Sequence, residues 1–85
     1  MAQIIRADGS VEEVEMPKKD GLSFMQQVVG GYIEIVRLSN GRLMVLNEEG
    51  KLLRLPLNVK ATALYNNLND VIVGDVLVGT RKEIK

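Results

Sequence analysis

Residues 29–58 read VGGYIEIVRLSNGRLMVLNEEGKLLRLPLN, and the two aliphatic runs on either side of Ser39-Asn40-Gly41 decide the fold. An Asn-Gly pair between such runs favours a type I′ turn, because both residues accept positive φ at little cost and the turn's twist matches that of the strands. With Asn40 and Gly41 as a two-residue loop, residues 32–38 pair with residues 42–47. Leu38 then lies opposite Leu43, Val36 opposite Val45 and Glu34 opposite Asn47 on one face. Arg37 with Met44 and Ile35 with Leu46 take the other. Both faces are aliphatic, so the sheet needs a helix layer on one side and further cover on the other. A second subunit or a tightly folded terminal segment would supply it.

Working outward from this hairpin, residues 3–5 and 11–16 form two short strands joined through the turn-forming Ala7-Asp8-Gly9-Ser10. Glu12, Glu13 and Glu15 make the second of these a charged edge that resists edge-to-edge pairing. Residues 17–21 are a loop, with Asp20 or Ser23 as N-cap of a short helix carrying Leu22, Met25 and Val29 at helical spacing. Gly30-Gly31 ends that helix. After the turn Glu48-Glu49-Gly50-Lys51, residues 52–55 read as a short strand stopped by Pro56. Asn58 caps a second helix whose apolar face is Ala61, Leu64, Tyr65 and Leu68, ended by Asn66, Asn67 and Asn69. Residues 71–80 form a last β-branched strand interrupted by Gly74. The fold class expected is α+β, a small, largely antiparallel sheet with two short helices. Residues 1–80 make the single domain, and the charged tail 81–85 is expected to fray.

Composition narrows the function. Hydrophobic residues make up 46% of the chain but aromatics only 4%, so the core is built from small aliphatic side chains. A domain of 85 residues buries limited surface, and so many apolar residues point to a homo-oligomer, a dimer or higher. Eleven basic residues balance eleven acidic ones, without the basic excess that nucleic-acid binding needs. Residues 1–20 carry three basic and five acidic groups, whereas residues 51–85 carry six and three, a mildly basic second half. Without Cys, neither a disulfide nor a thiolate metal site can form. No apolar run is long enough to span a bilayer or to serve as a signal core, so a cytoplasmic protein without membrane partner is expected.

The segments VGGYIEIV (29–36), Asn47-Glu48-Glu49-Gly50-Lys51, Leu55-Pro56 followed by Asn58, Ala61 and Tyr65, and DVIVGDVLV (70–78) occur in one order. In that order they resemble the domain of unknown function 3846 family, which occurs in bacteriophages, bacteria and large algal viruses. The resemblance spans nearly the whole chain and implies a viral or mobile-element origin. It carries over no catalytic residue.

With neither His nor Cys, general-base or covalent chemistry would rest on Asp, Glu, Lys, Tyr or Ser, and no spacing here joins a nucleophile to its base. No catalytic residue, metal or cofactor is expected. Asn47, Glu48 and Glu49 stand at a hairpin mouth, where they either solvate a turn or contact a ligand. Asn58 opens a helix, with Lys60 and Arg54 close in sequence, an arrangement able to receive an anion. Tyr32 offers a ring for stacking, while Tyr65 lies on an apolar helix face. Gly30-Gly31 stands at a helix C-terminus, where the dipole disfavours phosphate. Asp75 interrupts an aliphatic strand; a bulge at Gly74 would turn it to the rim, and a regular strand would bury it toward Arg37, Arg54 or Lys60.

The expected ligand contacts are therefore Tyr32, Asn47, Glu48, Glu49, Arg54, Asn58 and Lys60. The expected function is a non-enzymatic, phage-type accessory protein, a homo-oligomer that sequesters a small anionic, nucleotide-derived ligand in counter-defence. The alternative is a protein-interaction module acting on a host protein through a sheet edge or apolar face. A metal-dependent enzyme using Glu48, Glu49 and Asp75, and a nucleic-acid binder, rank below these.

Overall fold

In the computed structural model, which describes residues 1–84, the last aliphatic run lies in the middle of the sheet. The strands are β1 (Ala2–Ile5), β2 (Val11–Val14), β3 (Ile33–Arg37), β4 (Leu43–Asn47) and β5 (Val76–Gly79). Their spatial order is β2-β1-β5-β4-β3 and every pairing is antiparallel. All four residues of β5 are buried, as expected of a strand covered on both faces. The fold is α+β, with three helices rather than two: α1 (Gly21–Val29), α2 (Val59–Tyr65) and α3 (Arg81–Ile84).

The hairpin forms in another register. Its ladder runs Ile33↔Asn47, Ile35↔Val45 and Arg37↔Leu43, with Val36 opposite Met44 and Glu34 opposite Leu46. The loop has three residues, not two. Gly41 alone takes positive φ (85°), its N–H donates to the Leu38 carbonyl, and the Leu38 N–H donates to Arg42. Asn40 keeps negative φ and uses its side-chain oxygen to accept from the Arg42 N–H. This is a tight turn followed by a glycine bulge, the usual three-residue solution. Because strand side chains alternate, the one-residue slip moves the whole of β3 to the opposite face relative to β4.

Each face has its own apolar cluster. Ala2, Ile4, Leu43, Val45 and Leu77 pack with Met25 and Val29 of α1 and with Ile84 of α3. On the other face Ile5, Met44, Val76 and Val78 pack with Ala61 of α2 and with Ile72, joined by the half-buried Tyr65. Cover for both sides thus comes from within the chain.

Several boundaries differ from expectation for local reasons. Residues 52–55 are not a strand but a tight turn, in which Leu53 N–H donates to Glu49 and Leu55 N–H to Gly50, with Arg54 at φ 55°. Asp20 precedes α1 at φ 58° without a side-chain capping bond; only its carbonyl accepts from Phe24. Gly30 ends α1 as expected, at φ 81°. Asn66 closes α2 in the left-handed region, so Leu68 falls outside the helix face and is 99% exposed. Arg81–Ile84 forms a helical turn instead of a frayed tail, because Thr80 N–H donates to Glu83 Oε1 and Glu83 N–H to Thr80 Oγ1. Gly74, at φ 79°, breaks the last strand; a Cβ there would sit 2.8 Å from Leu55 Cδ1. Asp75 consequently turns to the rim, where its Oδ1 accepts from Ala7 N–H at 2.9 Å. Arg37, Arg54 and Lys60 are not its partners.

Candidate functional site

The hairpin register decides what Asn47 can do. As the last residue of β4 it lies on the α1 side, and its Nδ2 donates to the Val29 carbonyl at 3.0 Å, fastening the last turn of α1. Its Oδ1 accepts from Glu49 N–H at 2.7 Å. One buried amide therefore ties the helix end to the hairpin mouth. A Cβ at Gly31 would lie 3.0 Å from Asn47 Nδ2, so a larger residue there would press on that amide. Glu48 adds a second tie, its N–H donating to the Tyr32 carbonyl.

These ties build a groove of about 280 Å³ lined by Gln26, Gly30, Gly31, Tyr32, Glu49 and Leu53. Its apolar walls are exposed: Tyr32 at 67% and Leu53 at 55%. Arg54 follows Leu53 directly, in a left-handed conformation that non-glycine residues seldom adopt. Glu49 and the C-terminal end of α1 make the floor electronegative, so it suits donor groups and repels phosphate.

A second cavity of about 150 Å³ opens on the α2 face, lined among others by Glu34, Glu48, Lys51, Tyr65 and Asp70. Lys51 forms an ion pair with Asp70. That bond, with the Val71 N–H, holds the Asp70 carboxyl below the usual carboxylate range. Three carboxylates against one engaged lysine disfavour an anion in this cavity.

Of the seven residues singled out in the sequence, Tyr32 and Glu49 line the groove, Asn47 and Glu48 are bonded to its rim, and Arg54 follows the lining residue Leu53 in the chain without itself lining it. Asn47 and Glu48 hold it together through bonds rather than presenting free groups. Asn58 and Lys60 lie elsewhere. Asn58 is fully buried: its side-chain oxygen caps α2 at Ala61 N–H, and its Nδ2 donates to the carbonyls of Ile5 and Gly74. Lys60 donates to the Gly9 carbonyl. Gln26 and Leu53 were not singled out. Leu53 was hidden because Leu52-Leu53 reads as a strand, and only the turn made by Gly50 and Arg54 brings it to the groove.

Among the described residues, no group of three or more Asp or Glu side chains is placed to hold a metal ion. No helix among them is long and apolar enough to cross a membrane. The sequence profile of the family described as domain of unknown function (DUF3846) matches residues 2–83. No curated protein and no solved structure matches the chain.

Proposed function

Given that this chain belongs to the domain of unknown function 3846 family, we propose that it is a non-enzymatic accessory protein of phage type that binds and sequesters a small nucleotide-derived molecule. The viral setting is the one the family resemblance implies, and the counter-defence role is part of this proposal. The observation that carries the binding reading is the groove itself, where the exposed ring of Tyr32 and the exposed Leu53 share one concavity with Glu49. An aromatic ring held free at such a place offers a stacking platform for a base. Glu49 and the helix end accept from amino or hydroxyl groups of the nucleoside. Phosphate is met outside the groove floor, by Arg54.

Calorimetric titration against cyclic and ADP-ribose-derived nucleotides tests this. One member of the panel is expected to bind the wild type. Tyr32→Ala should weaken it at least about tenfold, the range of one lost base-aromatic stack. Arg54→Ala should weaken phosphorylated ligands more than the parent nucleoside. The ligand should be recovered unchanged after incubation. Absence of heat across the panel, or conversion of the ligand, would refute the reading.

A host-protein partner is the second reading, favoured by Leu52 and Leu68, which are 82% and 99% exposed. It requires a stoichiometric partner in affinity capture from host lysate, lost on Leu68→Asp.

A further inference from the structure

The two edges of the sheet are protected differently. At one edge β2 reads Val11-Glu12-Glu13-Val14, followed by Glu15, so antiparallel self-pairing centred on this strand brings carboxylates together. At the other edge β3 reads Ile33-Glu34-Ile35-Val36-Arg37, with one charge of each sign and Ile35 38% exposed. Nothing in that sequence blocks pairing.

The register shows which groups are free. Leu38 N–H donates to the Arg42 carbonyl and Glu48 N–H to the Tyr32 carbonyl, so hydrogen-bonded pairs fall at 38–42, 36–44, 34–46 and 32–48. The N–H and C=O groups of Ile33, Ile35 and Arg37 therefore point to the open edge. Among the described residues they have no partner there.

We infer that β3 pairs antiparallel with β3 of a second copy, with Ile35 on the two-fold axis, making a continuous ten-stranded sheet. This goes beyond ligand capture in the groove and gives the homo-oligomer expected from composition a specific interface. The free groups fall on residues 33, 35 and 37, so only registers matching these positions can bond. Placing Ile35 opposite Ile35 overlaps the whole strand and sets Ile33 against Arg37 and Glu34 against Val36 of the second copy. A shift of two residues in one direction opposes Glu34 to Glu34 and leaves three residues paired. The opposite shift shortens the ladder equally and opposes Arg37 to Ile35. The centred register is thus self-complementary in hydrogen bonds, pairs the full strand and opposes no like charges.

The test is native mass by light scattering at micromolar concentration. Wild type is expected at twice the 9.4 kDa chain mass. Ile35→Pro should halve that mass while leaving the far-ultraviolet circular dichroism unchanged, because the lost N–H faces the second copy and not β4. Ile35→Lys should halve it as well, which guards against a proline that perturbs folding. The chain has no cysteine of its own, so Ile35→Cys should cross-link to itself under mild oxidation, across a Cα separation of about 5.5 Å. Glu34→Cys, opposite Val36, should not. A wild-type monomer, a dimer that survives both Ile35→Pro and Ile35→Lys, or equal cross-linking of the two cysteine variants overturns the pairing. Nucleotide titration of the same variants reports on the groove alone, so the two readings fail separately.

Discussion

Among the described residues Asn58 and Asn47 are the buried polar ones, and each uses its amide to join separate elements: Asn58 ties the start of α2 to Ile5 of β1 and to Gly74, and Asn47 ties the end of α1 to the hairpin mouth. An amide buried in this way stabilises only because its donors and its acceptor are all met; removing it takes a donor from the carbonyls of Ile5 and Gly74 and uncaps α2. Asn58→Ala should therefore destabilise the protein by roughly 2–4 kcal/mol in urea unfolding. Asn58→Asp keeps the cap acceptor but loses both donations and buries charge, so it should be no better than alanine. A loss below about 1 kcal/mol for either would show that these bonds are dispensable. The capping role of Asn58 was legible, since Asn before an apolar helical face is a strong start signal. That it also serves β1 and Gly74 was not, because Ile5 lies far away in sequence. The same limit applies to Asn47, whose contact with Val29 exists only once α1 has packed on the sheet.

At the scale of elements, the β3–β4 hairpin and α3 show what local sequence decides and what it leaves open. The two aliphatic runs and Gly41 announce a hairpin, yet its register turned on whether Asn40 joins Gly41 at positive φ. Asn40 instead bonds Arg42 N–H, and the extra loop residue reassigns β3 to the other face. Gly41→Ala should destabilise the hairpin by about 1 kcal/mol through strain at φ 85°, measurable by urea unfolding, whereas a D-alanine there should be neutral. The fragment 81–84 looked like a charged tail because its single apolar residue, Ile84, gives no periodicity. It is held by the Thr80–Glu83 box, and bonding to Thr80 N–H lowers the Glu83 pKa. A group whose folded pKa lies below its unfolded value contributes fully above the ordinary glutamate pKa. That contribution is lost as pH falls through the lowered value. Stability of the wild type should thus decline on acidification through that window, and Glu83→Gln should be less stable at neutral pH with a shallower acid slope. An unchanged slope in the variant would remove Glu83 from the account.

At the scale of the whole molecule, two apolar layers enclose one sheet, leaving an open edge at β3 and a groove where α1 meets the hairpin mouth. The abundance of aliphatic residues predicts a missing cover, and α2 with Ile72 provides it on one face. The exposed aromatic groove, visible only in three dimensions, is what supports the proposed capture of a small molecule. Native mass spectrometry of the purified protein mixed with the nucleotide panel tests this most directly. The account predicts a two-chain species, or a multiple of it, that retains one intact nucleotide-derived adduct per groove, with the adduct lost in Tyr32→Ala. A lone chain that retains no member of the panel, or a spectrum in which the added nucleotide is converted to products, would contradict it.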